Sequence, residues 1–172
     1  MAATILPRVL MEPFVNRLRR DFPHYKFAPD KKLCWSPQTS TIFYPTVAHG
    51  SPATVRWGVL HELGHAELAH NHYVTDTHLL RQEVAAWTQA GKIAEQYAIT
   101  IDSDYVENCL DSYRDWLHKR SICPTCGMHG LQTSRTLYRC INCRLTWKVS
   151  ENRFCRTYRK QQLSAKLKTD SL

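Results

Sequence analysis

The run His61-Glu62-Leu63-Gly64-His65 constrains this chain more than any other five residues. An α-helix turns once every ~3.6 residues, so positions four apart share a face. In a helix the two imidazoles can aim at one metal ion, with Glu62 beside them as a base for an attacking water. The flanks agree. Ser51 followed by Pro52 reads as an N-cap with proline at the first helical position, and Val55, Val59, Leu63 and Ala66 supply an apolar side. Gly64 costs about 1 kcal/mol against alanine inside a helix, which points to close packing or function. The spacing predicts a helix over 52–71. An exposed helix carrying two unrelated histidines is the rival reading, but histidines on a mostly buried helix need polar partners, and a metal supplies one.

The remaining elements follow from periodicity. Residues 10–20 read as an amphipathic helix with Phe14, Val15 and Leu18 inward. Short strands are expected at 25–27, 33–35 and 41–44, with turns at Pro29-Asp30 and Ser36-Pro37. A second long helix is expected over 79–98, with Val84, Trp87, Ala90, Ala94 and Tyr97 in register. A third spans 105–119, opened by Asp102 or Ser103, and its stripe of Val106, Cys109, Leu110, Tyr113, Trp116 and Leu117 reads as core. The class is α+β.

A catalytic metal commonly takes three protein ligands and keeps one position open. Glu83 is the leading third ligand, because a carboxylate on an otherwise apolar helix face is costly to bury unless paired or coordinated. The alternative is a solvated glutamate near a helix N-terminus. His78 is the rival ligand; His70, His72 and Asp76 are weaker. Tyr73, His72 and His78 are candidate donors to a developing oxyanion.

Seven cysteines are present. Four form the pairs Cys123-Pro-Thr-Cys126 and Cys140-Ile-Asn-Cys143, the arrangement of a closed tetrahedral zinc site, with Gly127 letting the first knuckle turn. Residues 137–139 and 145–149 read as strands of a zinc ribbon whose folding depends on the metal. Cys34, Cys109 and Cys155 are left as reduced thiols, and the odd count argues against a secreted disulfide framework.

Charge divides the chain. Residues 1–119 carry 12 Lys/Arg and 13 Asp/Glu, a net of −1; residues 120–172 carry 11 and 2, a net of +9, which together give the +8 of the whole. The expected organisation is a metal-binding domain over 1–119, a zinc ribbon over 120–150 and a basic tail over 151–172. In the C-terminal third Arg135, Arg139, Arg144, Lys148, Arg153, Arg156, Arg159 and Lys160 interleave with Tyr138, Trp147, Phe154 and Tyr158. Cations neutralise phosphates and aromatic rings stack on bases, so nucleic acid is a candidate partner; a solubilising tail or a grip on an acidic protein are the alternatives. Residues 161–172 read as a short helix or disordered. No apolar run approaches the ~20 residues of a membrane span, and the first ten residues lack the apolar core of a secretory signal, so no membrane partner and a cytoplasmic location are expected.

His61-Glu-Leu-Gly-His65 together with Glu83-Val84-Ala85-Ala86-Trp87 resembles the ImmA/IrrE family of metallopeptidases over residues 10–100. The resemblance implies a zincin core of the gluzincin type, a small sheet ahead of the metal helix, and Glu83 as the third zinc ligand. It also implies Glu62 as general base in the hydrolysis of a repressor-like protein. A second resemblance is to SprT-like proteases, which follow the same motif with a zinc ribbon; it implies His78 as ligand and DNA-attached proteins as substrates. The long helix between the two parts departs from that pattern.

Overall fold

The computed structural model describes residues 11–45, 51–151 and 159–161, and these form an α+β protein with four helices and two small sheets. Two compact units emerge. One comprises the described residues up to His72 together with Arg81–Asn108; the other comprises Tyr73–Leu80 and the described residues from Cys109 onward. The charge boundary expected at residue 120 thus falls inside the second unit.

In the first unit, α1 (Glu12–Asp21) carries a proline in its first turn and buries Val15 and Leu18. Phe14 is only half-buried, edge-on to Tyr97 at 5.9 Å. Three strands follow: β1 (Lys26–Asp30), β2 (Cys34–Ser36) and β3 (Thr41–Pro45). Their order is β1-β3-β2, with β1 parallel and β2 antiparallel to β3, so β2 is an edge. Pro29 and Asp30, expected in a turn, instead end β1, opposite Tyr44 and Pro45. A proline is tolerated there because β1 is also an edge strand, where one side needs no N–H donor.

Helix α2 (Pro52–Glu67) starts as its sequence requires, with the Ser51 hydroxyl accepting the Thr54 N–H at 3.2 Å. Val55, Val59, Leu63 and Ala66 are all buried. The helix ends earlier than expected: Ala69 takes a left-handed φ of 51°, and the chain closes back with the His70 N–H on the His65 carbonyl at 3.0 Å. Helix α3 (Asp76–Gln96) begins three residues before the expected start. Within the first unit it buries Glu83, Ala86, Trp87, Ala90, Ile93 and Ala94, whereas Val84, expected inward, is 42 % exposed. The true stripe is the 83–87–90–94 row with its neighbours, and Val84 lies one residue off it. Gly64 is where α2 and α3 meet: a Cβ there would stand 2.4 Å from the Ala86 carbonyl oxygen. Alanine could not occupy that position without moving backbone.

The second unit holds most of α4 (Ser103–Ser121) and an antiparallel sheet of β4 (Gly130–Ser134), β5 (Leu137–Cys140), β6 (Thr146–Val149) and β7 (Arg159–Gln161), in chain order. Strand β7 lies in the stretch expected to be a tail. Of the α4 stripe, Leu110 and Trp116 are buried, while Val106, Cys109, Tyr113 and Leu117 are half-buried. The core of the sheet is Cys123, Tyr138, Cys140, Trp147 and Val149, with the Tyr138 and Trp147 rings stacked 5.6 Å apart. Gly130 is required by that core, since a Cβ would sit 2.3 Å from the Trp147 ring. Among the described residues no helix is long and apolar enough to cross a membrane.

Candidate metal centres

Two groups of side chains in the described residues are arranged so that each could hold a metal ion: His61, His65 and Glu83, and the four cysteines. In the first, α2 aims two Nε2 atoms at one point and α3 supplies the carboxylate. His61 Nε2 lies 3.1 Å from His65 Nε2, and Glu83 Oε2 lies 3.2 Å from the former and 3.7 Å from the latter. Tetrahedral coordination with bonds of about 2.0–2.1 Å places ligand atoms roughly 3.3–3.4 Å apart, so this triangle has the size such an ion needs. Proton counting points the same way. A carboxylate only accepts, and a neutral imidazole has one N–H for two nitrogens. Three acceptor-rich atoms facing one point are satisfied together by a cation.

The surroundings fix these rings. His61 is 7 % exposed and stacks on Trp87, centroids 4.2 Å apart at 25°. Its Nδ1 is buried and has no hydrogen-bond partner. His65 turns its Nδ1 to Nδ1 of His70 at 2.9 Å. Burial alone would raise the Glu83 carboxyl, but hydrogen bonds from His61 and His65, and their charges, outweigh it and lower the group from 4.5 to about 2. Glu83 is therefore an ionised ligand candidate over any neutral range. Glu62, next to His61, is half-buried, and its Oε2 accepts the Trp35 backbone N–H at 2.8 Å. Edge strand β2 thus holds one carboxylate oxygen in place.

The rival ligand His78 belongs to neither group; its Nδ1 accepts the Val74 N–H at 3.3 Å at the start of α3. Tyr73 packs under the Arg135 guanidinium at 5.1 Å. The His72 carbonyl accepts from the Gln82 side chain at 3.0 Å. Asp76 is bound up with Arg120, Tyr138 and Gln132. Sequence reasoning overlooked Trp35, which braces Glu62. It also treated His70 only as a weak ligand, because the turn at Ala69 that swings His70 onto His65 has no glycine to announce it.

The second centre is built on two knuckles. The Cys123 N–H donates to the Met128 carbonyl at 2.8 Å and the Gly127 N–H to the Cys123 carbonyl at 3.0 Å; in the second knuckle the Cys140 N–H donates to the Leu145 carbonyl at 2.8 Å. The Cys123–Cys143, Cys126–Cys140 and Cys126–Cys143 sulfur pairs lie 3.6, 3.5 and 3.6 Å apart. That is far beyond the ~2.05 Å of a disulfide and close to the ~3.7–3.8 Å that tetrahedral bonds of about 2.3 Å impose. The backbone N–H of Met128 pulls the Cys126 thiol down to about 6, which favours the thiolate a metal needs. The Leu145 N–H pulls the Cys143 thiol down, but burial and the hydrogen bonds to the three neighbouring sulfurs together outweigh it and push the group up. Thiolates packed this closely oppose one another's ionisation until a cation joins them. Of the remaining cysteines, Cys34 and Cys109 are not in a disulfide and Cys155 lies outside the described residues.

The expected nucleic-acid face changes in composition. Tyr138 and Trp147 are 4 % and 0 % exposed, so both are core and neither can stack on a base. Arg120, counted with the basic third, is 1 % exposed. Arg135 faces Glu151 at 3.8 Å, and Arg159 donates to the Ile122 carbonyl at 3.0 Å. Arg139, Arg144, Lys148 and Lys160 are exposed, and the Lys148–Lys160 pairing places those two side by side on the sheet. Arg153, Phe154, Arg156 and Tyr158 lie outside the described residues. The chain matches no family model, and it has no match among curated proteins or solved structures.

Proposed function

We propose that the protein is a zinc-dependent peptidase of the gluzincin type, with His61, His65 and Glu83 as ligands, Glu62 as general base, and a second, structural zinc held by Cys123, Cys126, Cys140 and Cys143. The observation that carries this reading is the convergence of two Nε2 atoms and one carboxylate oxygen within 3.1–3.7 Å, beside a carboxylate steadied by a backbone N–H. Two imidazoles with a carboxylate, and four thiolates, are both donor sets that zinc accepts in tetrahedral geometry. Three ligands in the first set leave a position open and four in the second close it, so chemistry belongs to the first. Zinc bound there would acidify water and polarise the scissile carbonyl. Glu62 takes the water's proton through its unanchored oxygen and hands it to the leaving amine. Trp87, stacked on His61, limits the ring's freedom.

That Glu83 and not His78 stands in reach of both imidazoles favours the ImmA/IrrE-like reading over the SprT-like one. The substrate is a protein. The exposed cations Arg139, Arg144, Lys148 and Lys160 support a recruiting role for the ribbon, directed at a polyanion such as a nucleic-acid backbone through phosphate contacts rather than base stacking. A non-catalytic regulator on the same scaffold is the competing class. Glu62→Gln separates the two: we expect two zinc ions per chain, as in the parent, and peptidase activity reduced about 10²–10⁴-fold. Undiminished cleavage in that variant sinks the enzyme assignment.

A further inference from the structure

We propose that His70 is the positioning residue of ligand His65, held in that role by Trp35; the inference rests on the metal reading of His61, His65 and Glu83. His65 presents Nε2 to the other two ligand atoms and Nδ1 to His70 Nδ1 at 2.9 Å. An imidazole that gives its Nε2 lone pair to a metal carries its proton on Nδ1, and the partner of that N–H fixes tautomer and ring angle. His70 Nδ1 must then accept, so His70 keeps its own proton on Nε2. The contact is to the nitrogen of His65 that faces away from the ligand triangle, which makes His70 an orienting group and not a fourth ligand.

The local chain is shaped for this contact. Helix α2 stops as the Leu68 N–H reaches the Gly64 carbonyl at 3.2 Å, and the Ala69 N–H reaches the Ala66 carbonyl at 2.9 Å. Ala69 then adopts φ 51°, a conformation costly for any residue with a Cβ, and this reversal brings the His70 ring back onto His65. The Trp35 indole N–H locks the result by donating to the His70 carbonyl at 3.0 Å, while its backbone N–H holds Glu62 at 2.8 Å. One residue of an edge strand therefore braces both the general base and, through His70, a ligand. His61 has no such partner on its Nδ1 and depends on Trp87 for its orientation.

The test uses the full chain with the four cysteines already zinc-loaded, and zinc itself as the probe. His70→Leu removes the acceptor at similar bulk; His70→Asn restores an acceptor oxygen at the position of Nδ1. Chelator competition should show zinc at the first centre bound about 10–100-fold more weakly in the leucine variant, with most of the affinity recovered by asparagine. Equal affinity in the leucine variant and the parent overturns the proposal, and so does an equal loss in both variants, which would mean a packing role. The unsubstituted protein gives a second check that needs no variant to fold. In its zinc-loaded form, nitrogen-15 imidazole spectra should show His65 as the Nδ1–H tautomer and His70 as the Nε2–H tautomer. A proton on His70 Nδ1 is incompatible with the assignment. A chain that binds only the zinc of the cysteines fails differently: it removes the metal reading under Proposed function, and this inference falls with it.

Discussion

Asp76 and Glu83 stand seven residues apart on α3, both are buried, and they are satisfied in opposite ways. The Asp76 carboxylate, in the second unit, is surrounded by donors. Tyr138 gives its hydroxyl proton, Gln132 donates at 3.1 Å, and the Arg120 guanidinium lies with Nε at 3.1 Å as an ion pair, off the line of a good hydrogen bond. Burial first, then the hydrogen bond to Asp76 and its charge, push the Tyr138 hydroxyl up, so it stays a donor. Both Asp76 oxygens have a donor, although Arg120 Nε and Nη1 make no hydrogen bond of their own. Glu83, in the first unit, meets two imidazole nitrogens that also face each other. No arrangement of neutral-imidazole protons satisfies all three contacts. An acid ringed by donors can serve folding, whereas an acceptor-rich group could hold a cation. The chain separates these jobs by choosing the partners, not by choosing the acid.

The largest expected effect comes from taking metal away, which should act on the two centres unequally. The four-stranded sheet buries only five residues in its core cluster, two of them ligands. Structural zinc contributes about 10–16 kcal/mol in zinc-finger peptides, so chelation should unfold this sheet and expose Trp147, now fully buried. The first unit has an apolar core of its own, including Val15, Leu18, Ile42, Val59, Leu60, Leu63 and Ile93, and should keep its amide protection without metal. A chelated protein whose Trp147 fluorescence and exchange pattern do not change would break the proposed distinction between a structural and a catalytic centre.

Next in size is the closed cluster itself. Arg120→Met leaves Asp76 a buried charge without its cation and should cost roughly 3–5 kcal/mol in the second unit, read by urea denaturation. Pairing it with Asp76→Asn should return much of that loss, because no charge then remains buried. If the single variant is as stable as the parent, the cluster is solvated and the contrast with Glu83 loses its meaning.

These two carboxylates also show what the sequence discloses. Glu83 was legible because helical spacing brings His61 and His65 together, and an acid on an apolar face asks for a partner. Asp76 was read as a weak ligand because its partners lie 44 to 62 residues further on, on α4 and in the sheet, and no periodicity links them. Tyr138 and Trp147 were misread for the same reason. Composition placed them in a basic, aromatic surface, whereas strand alternation in β5 and β6 turns Tyr138 and Trp147 inward and Arg139 and Lys148 outward. The three-stranded sheet was found at its apolar residues, yet β4 and β7 were not: both are short and polar, and they form by pairing with neighbours.

Gly64 offers a smaller perturbation that bears on Glu83 alone. Alanine there would set a Cβ 2.4 Å from the Ala86 carbonyl, so α2 and α3 must part by a fraction of an ångström or more. We expect Gly64→Ala to destabilise the first unit by about 1–3 kcal/mol. Zinc affinity at the first centre should fall as well, since the parted helices carry its ligands, while the zinc of the cysteines stays. Loss of stability with unchanged zinc affinity would show that the triangle tolerates helix movement and is less preorganised than its distances imply.

The smallest expected effect lies within the cysteine knuckles, which differ at one matched position. Each second cysteine is followed by a residue with positive φ: Gly127 at 73° in the first knuckle and Arg144 at 60° in the second. A left-handed backbone costs a residue with a Cβ roughly 1–2 kcal/mol and costs glycine nothing comparable, though glycine gives up part of that gain by its greater freedom in the unfolded chain. Arg144→Gly should therefore stabilise the zinc-loaded sheet by about 0.5–1 kcal/mol, and Gly127→Ala, with open space around its Cβ, should weaken it by about the same amount. Thermal unfolding of the zinc-loaded protein reads both. If Arg144→Gly instead weakens the sheet, the arginine makes a contact worth more than the strain it bears. An exposed guanidinium beside a four-thiolate centre can hold such a contact only with acceptors or net negative charge close by, so this outcome would assign Arg144 to the centre and leave the proposed recruiting surface with Arg139, Lys148 and Lys160.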